Sequence, residues 1–353
     1  MLVGIETPEQ IDNHHHVEFF SGVLIPGLVN AHTHTELSYL HGKIARGGGF
    51  AGFADGIARC RHQVPESERA AAAAFRDAKM SSEGVVAVGD ICNSLFTFEA
   101  KVRSRLYYLN FIEYFGLATE DFSATDAVAD RAQALGLAWS KTPHSTYSLN
   151  DRPFRQIARE GNPLSIHFME SRAEAELFAD RGPLYERNRR LGLEVDFRGY
   201  GSPARRVMAS VSPEKDVLLV HNTFVEEEDV QRIESYFTGK VTWVLCPRSN
   251  EFIEGVLPPC EMLRRRGVRI ALGTDSLASN DTLSLIEELK RFSDTVPLHE
   301  RIRWATLGGA EALGIESWAG SFEIGKRPGA VLLSGADPLT ESLHADATTR
   351  RIL

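Results

Sequence analysis

Only four cysteines occur in the 353 residues, Cys60, Cys92, Cys246 and Cys260, and no two of them form a Cys-x-x-Cys pair. That excludes a zinc ribbon and a disulfide framework and fits a reducing compartment. Positive charge is also short: 39 Lys and Arg against 48 Asp and Glu leave a net charge of −9, without the basic cluster a nucleic-acid binder needs. No apolar run approaches the roughly 18–20 residues of a membrane span, and the first residues show no basic segment followed by an apolar core. The expectation is a cytoplasmic protein with no nucleic-acid or membrane partner, acting on a small molecule. Several catalytic signatures are missing as well. There is no His-Glu-x-x-His and no His-x-Glu followed by Pro-Cys-x-x-Cys, and Gly47-Gly48-Gly49 lacks the Lys-Ser/Thr of a phosphate loop.

What is present is a regular alternation. Hydrophobic content of 43% and charged content of 25% are those of a globular chain. Eight short apolar runs, Leu28–His34, Val85–Asp90, Leu106–Ile112, Leu135–Ser140, Pro163–Phe168, Val217–His221, Val241–Leu245 and Val268–Asp275, alternate with helical patterns. Among the latter, Ser67–Met80 is alanine-rich, Asp281–Ser293 offers Asp281 as N-cap, and Arg301–Leu313 closes the circuit. Several runs are apolar throughout, as in strands buried on both faces, and eight is the number that closes a barrel. The fold class expected is α/β: a (β/α)8 TIM-type barrel over residues 26–316, with a small, reduced β-sandwich appendage from residues 1–25 and 317–353. In the C-terminal part, Gly320–Lys326 and Ala330–Ser334 read as short strands with turns.

Polar residues terminate several of these runs. His32 and His34 end the first, two apart and therefore on one face of a strand roughly 6.5–7 Å apart. His167, His221 and Asp275 each close a later run. In a βα barrel the C-terminal strand ends carry the active site, so the five converge on a candidate metal centre. Imidazoles with a carboxylate suit one divalent ion, Zn²⁺ or Fe²⁺, and lower the pKa of a bound water toward about 7. Glu170, three residues after His167, is placed as general acid/base, although a glutamate there also suits the first turn of a helix. By contrast, His14-His15-His16 fits one metal poorly, because consecutive side chains on a strand alternate faces; it reads as a solvated turn.

These segments carry a resemblance. Pro26-Gly27-Leu28-Val29-Asn30-Ala31-His32-Thr33-His34, Thr142-Pro143-His144, His167-Phe168-Met169-Glu170, His221-Asn222-Thr223, Cys246-Pro247-Arg248-Ser249-Asn250 and Gly273-Thr274-Asp275-Ser276 resemble, in order, the motifs of the amidohydrolase superfamily. The His-x-x-Glu and Asp-Ser are similar to its mononuclear aminohydrolase branch. No lysine ends the fourth strand as a carbamate bridge requires, Lys141 being the one candidate. The resemblance implies His32, His34, His167 and Asp275 as metal ligands and His221 beside the attacking water. Asp275 takes that water's proton, and Glu170 protonates a ring nitrogen before ammonia departs.

Pocket roles fall to Glu36, His144, Asn222 and Arg248, each of which is also compatible with a purely structural position. His32-Thr33-His34-Thr35-Glu36-Leu37-Ser38 resembles adenine-nucleoside deaminases of the aminodeoxyfutalosine type, whose substrate carboxylate an arginine such as Arg248 can clamp. S-adenosylhomocysteine, methylthioadenosine and adenosine belong to the same range. A chlorohydrolase, a guanine- or cytosine-deaminase-like enzyme of the superfamily, and a non-catalytic metal-binding barrel remain alternatives. A homodimer is compatible with this reading. The segment before the first barrel strand is shorter than the family's sandwich requires.

Overall fold

The computed structural model describes residues 1–7, 10, 17–61 and 63–353. His14-His15-His16 lies outside them. Eleven strands are present among the described residues: β1 Val23–Pro26, β2 Leu28–Thr33, β3 Val85–Cys92, β4 Tyr107–Tyr114, β5 Ala138–Pro143, β6 Leu164–Phe168, β7 Val217–His221, β8 Val241–Leu245, β9 Ile270–Leu272, β10 Ala330–Asp337 and β11 Ser342–Arg351. Strands β2 to β9 are the expected eight, parallel throughout, in two runs ordered β2-β3-β4-β5 and β6-β7-β8-β9. Single bridges between Thr33 and Asp275 and between Ser145 and His167 join the two halves. The His32 carbonyl accepts the amides of Thr274 and Asp275 (2.9 and 3.1 Å), and the His144 carbonyl accepts that of His167 (2.8 Å). Both seams therefore lie among the candidate site residues.

Continuous burial explains the apolar strands. Every residue of β3, β7 and β8 is buried. Val217 and Leu219 pack with Val207, Val230 and Ile233 of the surrounding helices, whereas Leu218 and Val220 join a separate cluster with Val244 and Ala271. The π turn at Trp304–Gly308 presses close on the barrel. A Cβ on Gly308 would stand 2.2 Å from the Ile270 carbonyl oxygen, so only glycine permits that approach.

Several boundaries differ from the sequence expectation. The fourth barrel strand begins at Ala138 and not Leu135, because Leu135 caps the helix Ser123–Ala134 and Gly136 takes a left-handed φ of 67°. The helix expected over Asp281–Ser293 spans Leu285–Lys290, and Asp281 caps nothing: its carboxylate pairs with Arg46 and Arg248. Arg301–Leu313 is helical but resolves into Leu298–Arg303, a π turn at Trp304–Gly308 and Gly309–Ala312. Gly320–Lys326 is not a strand; left-handed Gly320 and Gly325 interrupt it, and Leu2 bonds to Gly325 and Lys326. The appendage is a single antiparallel sheet, β1-β10-β11, pairing Val23 with Leu333 and Leu333 with Thr349. No helix of the described residues is long and apolar enough to cross a membrane.

Candidate active site

The C-terminal ends of the barrel strands gather the predicted residues into one buried cluster. Ligand atoms of His32, His167, His221 and Asp275 all lie within 4.8 Å of one another. His34 stands immediately beside them, its Nε2 3.4 Å from Asp275 Oδ1 and its ring 5.0 Å from that of His32. The other histidine of the first strand, His32, points Nε2 to within 3.9 Å of the same Asp275 oxygen.

Backbone strain aims two of these groups. Val217 and Leu219 face the helices, and strict alternation would send His221 the same way. A φ of 80° turns it instead toward His167, with ring centroids 5.2 Å apart. Asp275 has a φ of 54°, another left-handed value that a non-glycine residue holds only where its surroundings over-determine it. Those surroundings are visible: Thr33 Oγ1 donates to the Asp275 carbonyl (2.9 Å), and Ser249 and Ser279 hydroxyls donate to Asp275 Oδ2 (2.5 and 2.8 Å). Gly273 makes room, since a Cβ there would sit 2.7 Å from the His32 carbonyl oxygen.

Hydrogen bonds fix the imidazole tautomers. His167 Nδ1 lies 2.8 Å from the His144 carbonyl, which can only accept, so Nδ1 carries the proton and Nε2 the lone pair. His221 Nδ1 meets Asn250 Oδ1 at 2.9 Å, and Asn250 Nδ2 donates back to the His221 carbonyl at 3.2 Å, which sets the amide's orientation. His32 Nε2 is buried with no partner at all. Burial holds the pKa values of His32 and His167 well below the usual imidazole range, and lowers that of His221. Burial opposes the charge on Asp275, yet His34, His221 and His32 outweigh it and hold its carboxyl below the ordinary range. Neutral imidazole lone pairs and one carboxylate converging on a dry volume fit a divalent metal ion.

Glu170 follows Met169, itself at a φ of 48°, and lies beside the cluster with Oε2 3.7 Å from His221 Nε2. Tyr147 donates its hydroxyl to Glu170 Oε1, and the Glu170 amide donates to Glu174 Oε2 at 3.1 Å. Burial raises the Glu170 pKa well above the usual carboxyl range and pushes that of Glu174 up to about 7. Both acids come from the segment between β6 and the end of helix Arg172–Leu177, whose Ser171 side chain caps the first turn.

A cavity of about 490 Å³ opens over these groups, lined by His34, His167, Glu170, His221 and Asp275. Helix Gly49–Cys60 forms one apolar side through Phe50, Phe53 and Ile57, and Phe50 packs edge-on against Tyr147 with centroids 5.4 Å apart. Of the four pocket residues named from sequence, Glu36 and His144 line the cavity. Asn222 and Arg248 do not. The Asn222 amide, at a φ of 57°, donates to the Leu219 and Val244 carbonyls (2.7 and 3.1 Å) and ties β7 to β8. Arg248 is paired with Asn280 Oδ1 (3.0 Å) and Asp281 Oδ2 (3.3 Å), outside the cavity lining. The arginines that do line the cavity are Arg61 and Arg187. Lys141 projects to Asp126 and Glu160 (2.9 and 2.7 Å), away from the metal cluster.

Sequence reasoning missed Tyr147, Glu174, Asn250, Asn93 and Glu113. Glu113 was within reach of the same signal as the histidines: it is a polar residue near the end of an apolar barrel strand, one position beyond the predicted run.

Residues 23–352 match the amidohydrolase family, and the chain belongs to it. Within that family it is 30% identical over 318 residues to the aminodeoxyfutalosine deaminase of Deinococcus radiodurans, covering 83% of this chain and 73% of that protein. It is 29% identical over 331 residues to an adenosine deaminase of Helicobacter pylori, covering 89% and 80%. The crystal structure of Helicobacter pylori aminofutalosine deaminase in complex with methylthio-coformycin shares the fold with a TM-score of 0.83 at 26% identity, over 96% of this chain and 89% of that one. The chain is accordingly a hydrolase of C–N bonds of the deaminase type.

Proposed function

We propose that this enzyme deaminates an adenine nucleoside derivative, with 6-amino-6-deoxyfutalosine the favoured substrate, using one ion of Zn²⁺ or Fe²⁺. The observation that carries the reading is the position of Glu170. Its buried carboxyl faces the cavity between the Tyr147 hydroxyl and His221 Nε2. A carboxyl whose pKa burial raises is suited to deliver a proton to the ring nitrogen beside the amino-bearing carbon, which makes that carbon electrophilic.

His32, His34, His167 and Asp275 would hold the ion, with His221 turned to the attacking water. The ion supplies Lewis acidity that makes a water nucleophilic near neutral pH. Asp275 Oδ1 accepts the proton that water releases, while its Oδ2 stays occupied by two serine hydroxyls. His221, held by Asn250, orients the water with Nε2. Glu170, its own proton now on the ring nitrogen, would recover one from the added hydroxyl as the carbonyl forms, and the proton held by Asp275 would go to the amine, which leaves as ammonia. The dry walls provided by Phe50 and Phe53 restrict competing water. Arg61 supports a substrate with an anionic tail, the role first sought at Arg248, whereas Arg187 lines the cavity already paired with Asp55 at 2.9 Å.

Ammonia release measured with aminodeoxyfutalosine, S-adenosylhomocysteine, methylthioadenosine, adenosine, guanine and cytosine tests this. The expected order places aminodeoxyfutalosine first by kcat/KM. No release from any of the six refutes the deaminase reading, and chloride release from chlorotriazines would replace it.

A further inference from the structure

Glu170 is held from two sides, and the two holds do different things. On the main-chain side, Met169 takes its left-handed φ of 48° and the Glu170 amide donates to Glu174 Oε2 at 3.1 Å, while Glu174 Oε1 accepts the Thr146 hydroxyl. Those contacts fix where the backbone of Glu170 runs. On the side-chain side, the Tyr147 hydroxyl donates to Glu170 Oε1. Oε2 is then the oxygen left toward the metal cluster, 3.7 Å from His221 Nε2.

Tyr147 is itself anchored. It lies between β5 and the helix Asp151–Glu160, and Arg206 brackets it by donating Nη1 to the Thr146 carbonyl and Nη2 to the Leu149 carbonyl (2.5 and 2.8 Å). The guanidinium of Arg206 is fully buried and lies over the Phe197 and Phe154 rings, 3.9 and 4.5 Å from their centroids. From the other side the Phe50 ring packs edge-on against Tyr147. A phenol fixed so firmly at the cavity wall, with its hydroxyl on the proposed proton donor, has a chemical consequence. Burial, and then the neighbouring Glu170, hold the Tyr147 pKa well above its usual range, so the group stays an O–H donor.

A carboxylic acid has one carbonyl oxygen and one hydroxyl oxygen, and a donor sitting on Oε1 favours Oε1 as the carbonyl. We infer that Tyr147 is a positioning residue for the proton donor: its hydroxyl assigns the Glu170 proton to Oε2 and keeps that oxygen toward the ring nitrogen. This rests on the deaminase reading above. On transfer the Oε2–H bond breaks, an N–H bond forms on the ring, and the electron pair stays on the carboxylate. The same phenol then stabilises the charged carboxylate through Oε1.

The test is Tyr147→Phe in the metal-loaded full chain, which keeps the ring and its packing and removes the donor. On whichever of the six compounds the parent turns over fastest, kcat should fall roughly 10- to 100-fold, the scale of a lost hydrogen bond to a charged group, with KM and metal content within about threefold. Added to Glu170→Gln, the same change should cost less than about threefold, because its effect runs through Glu170. An equal factor in both backgrounds, a loss that appears in KM, or a kcat within about threefold of the parent overturns the role. So does a crystal structure of the unaltered protein with the Glu170 carboxyl turned away from Tyr147, whether or not the variant folds. If the parent releases no ammonia, the deaminase reading fails by itself and calorimetric binding decides, using adenosine and 1-deazaadenosine, in which C–H replaces the ring nitrogen. Tighter binding of adenosine that is lost in Tyr147→Phe keeps the positioning role, whereas no gap in the parent, or an undiminished gap in the variant, discards it.

Discussion

Lys101 and Asp90 form a buried ion pair beneath the first metal-cluster strand, and breaking it should cost more than any surface contact in the molecule. Lys101 Nζ lies 2.5 Å from Asp90 Oδ2 and 2.6 Å from Asn110 Oδ1, with the two charged side chains 2% and 0% exposed. Burial opposes the ammonium charge, but Asp90 outweighs it and raises the Lys101 pKa. Asp90 in turn accepts the Thr35 amide at 2.8 Å and the Thr35 hydroxyl at 2.6 Å, immediately after His34. Lys101→Met keeps the side chain's length and its packing against Phe98 and Tyr108, and leaves a carboxylate buried without its counter-charge. The expected loss is about 3–5 kcal/mol. Adding Asp90→Asn removes the stranded charge while an amide oxygen still serves Thr35, so the double variant should recover to within about 2 kcal/mol of the parent. Urea unfolding of the metal-loaded protein at constant ion concentration gives both numbers. A single variant that loses under about 1 kcal/mol, or a double variant that loses the sum of the singles, refutes the reasoning.

Further tests address the site itself. Glu170→Gln should lower the rate of ammonia release by about 10²–10⁴-fold with metal content unchanged by elemental analysis; a loss under tenfold would move the proton-transfer role elsewhere. Asn250→Ala frees His221 Nδ1, and a drop of roughly 10–100-fold in kcat is expected, whereas an unchanged rate would show that His221 needs no orienting partner. Chelation should abolish activity and lower the thermal midpoint, with recovery on adding Zn²⁺ or Fe²⁺; indifference of both to chelators argues against a metal centre. Glu174 binds a proton more tightly folded, at about 7, than unfolded, so its stabilising contribution is complete below the unfolded carboxyl pKa and is lost as pH rises through about 7. Glu174→Gln should flatten stability against pH over that window by on the order of 3 kcal/mol, and an unaltered slope would contradict the shift.

The barrel was legible because its strands are buried on both faces and therefore read as continuous apolar runs, and because the residues ending them are chemically unlike what precedes them. His32, His34, His167, His221 and Asp275 were found that way and Glu170 by its spacing from His167; all but the fully buried His32 line the same cavity, and His32 joins the others in the cluster beneath it. Arg248 and Asn222 illustrate the limit. Each sits next to a site residue in sequence, but whether its side chain enters the cavity depends on partners supplied from elsewhere: Asp281 for the one, the Val244 carbonyl for the other. Tyr147 and Glu174 were hidden for a different reason. Neither terminates a strand: Tyr147 is brought to Glu170 from 23 residues away, and Glu174 meets the Glu170 amide through the local turn that starts its helix. The left-handed backbone at His221 and Asp275 was equally invisible, since no glycine marks it.

The way the barrel closes has a consequence for how the protein comes apart. The first four strands contribute His32 and His34, the last four His167, His221 and Asp275, and the halves meet along seams that pass through the His32 and His144 carbonyls. An ion held by both sets would act as a rivet between two half-barrels, so that cracking either seam and releasing the ion become one event. The exchange rates of the Thr274, Asp275 and His167 amides, which bond across the seams, would then serve as built-in gauges of whether the enzyme is loaded, readable without any substrate.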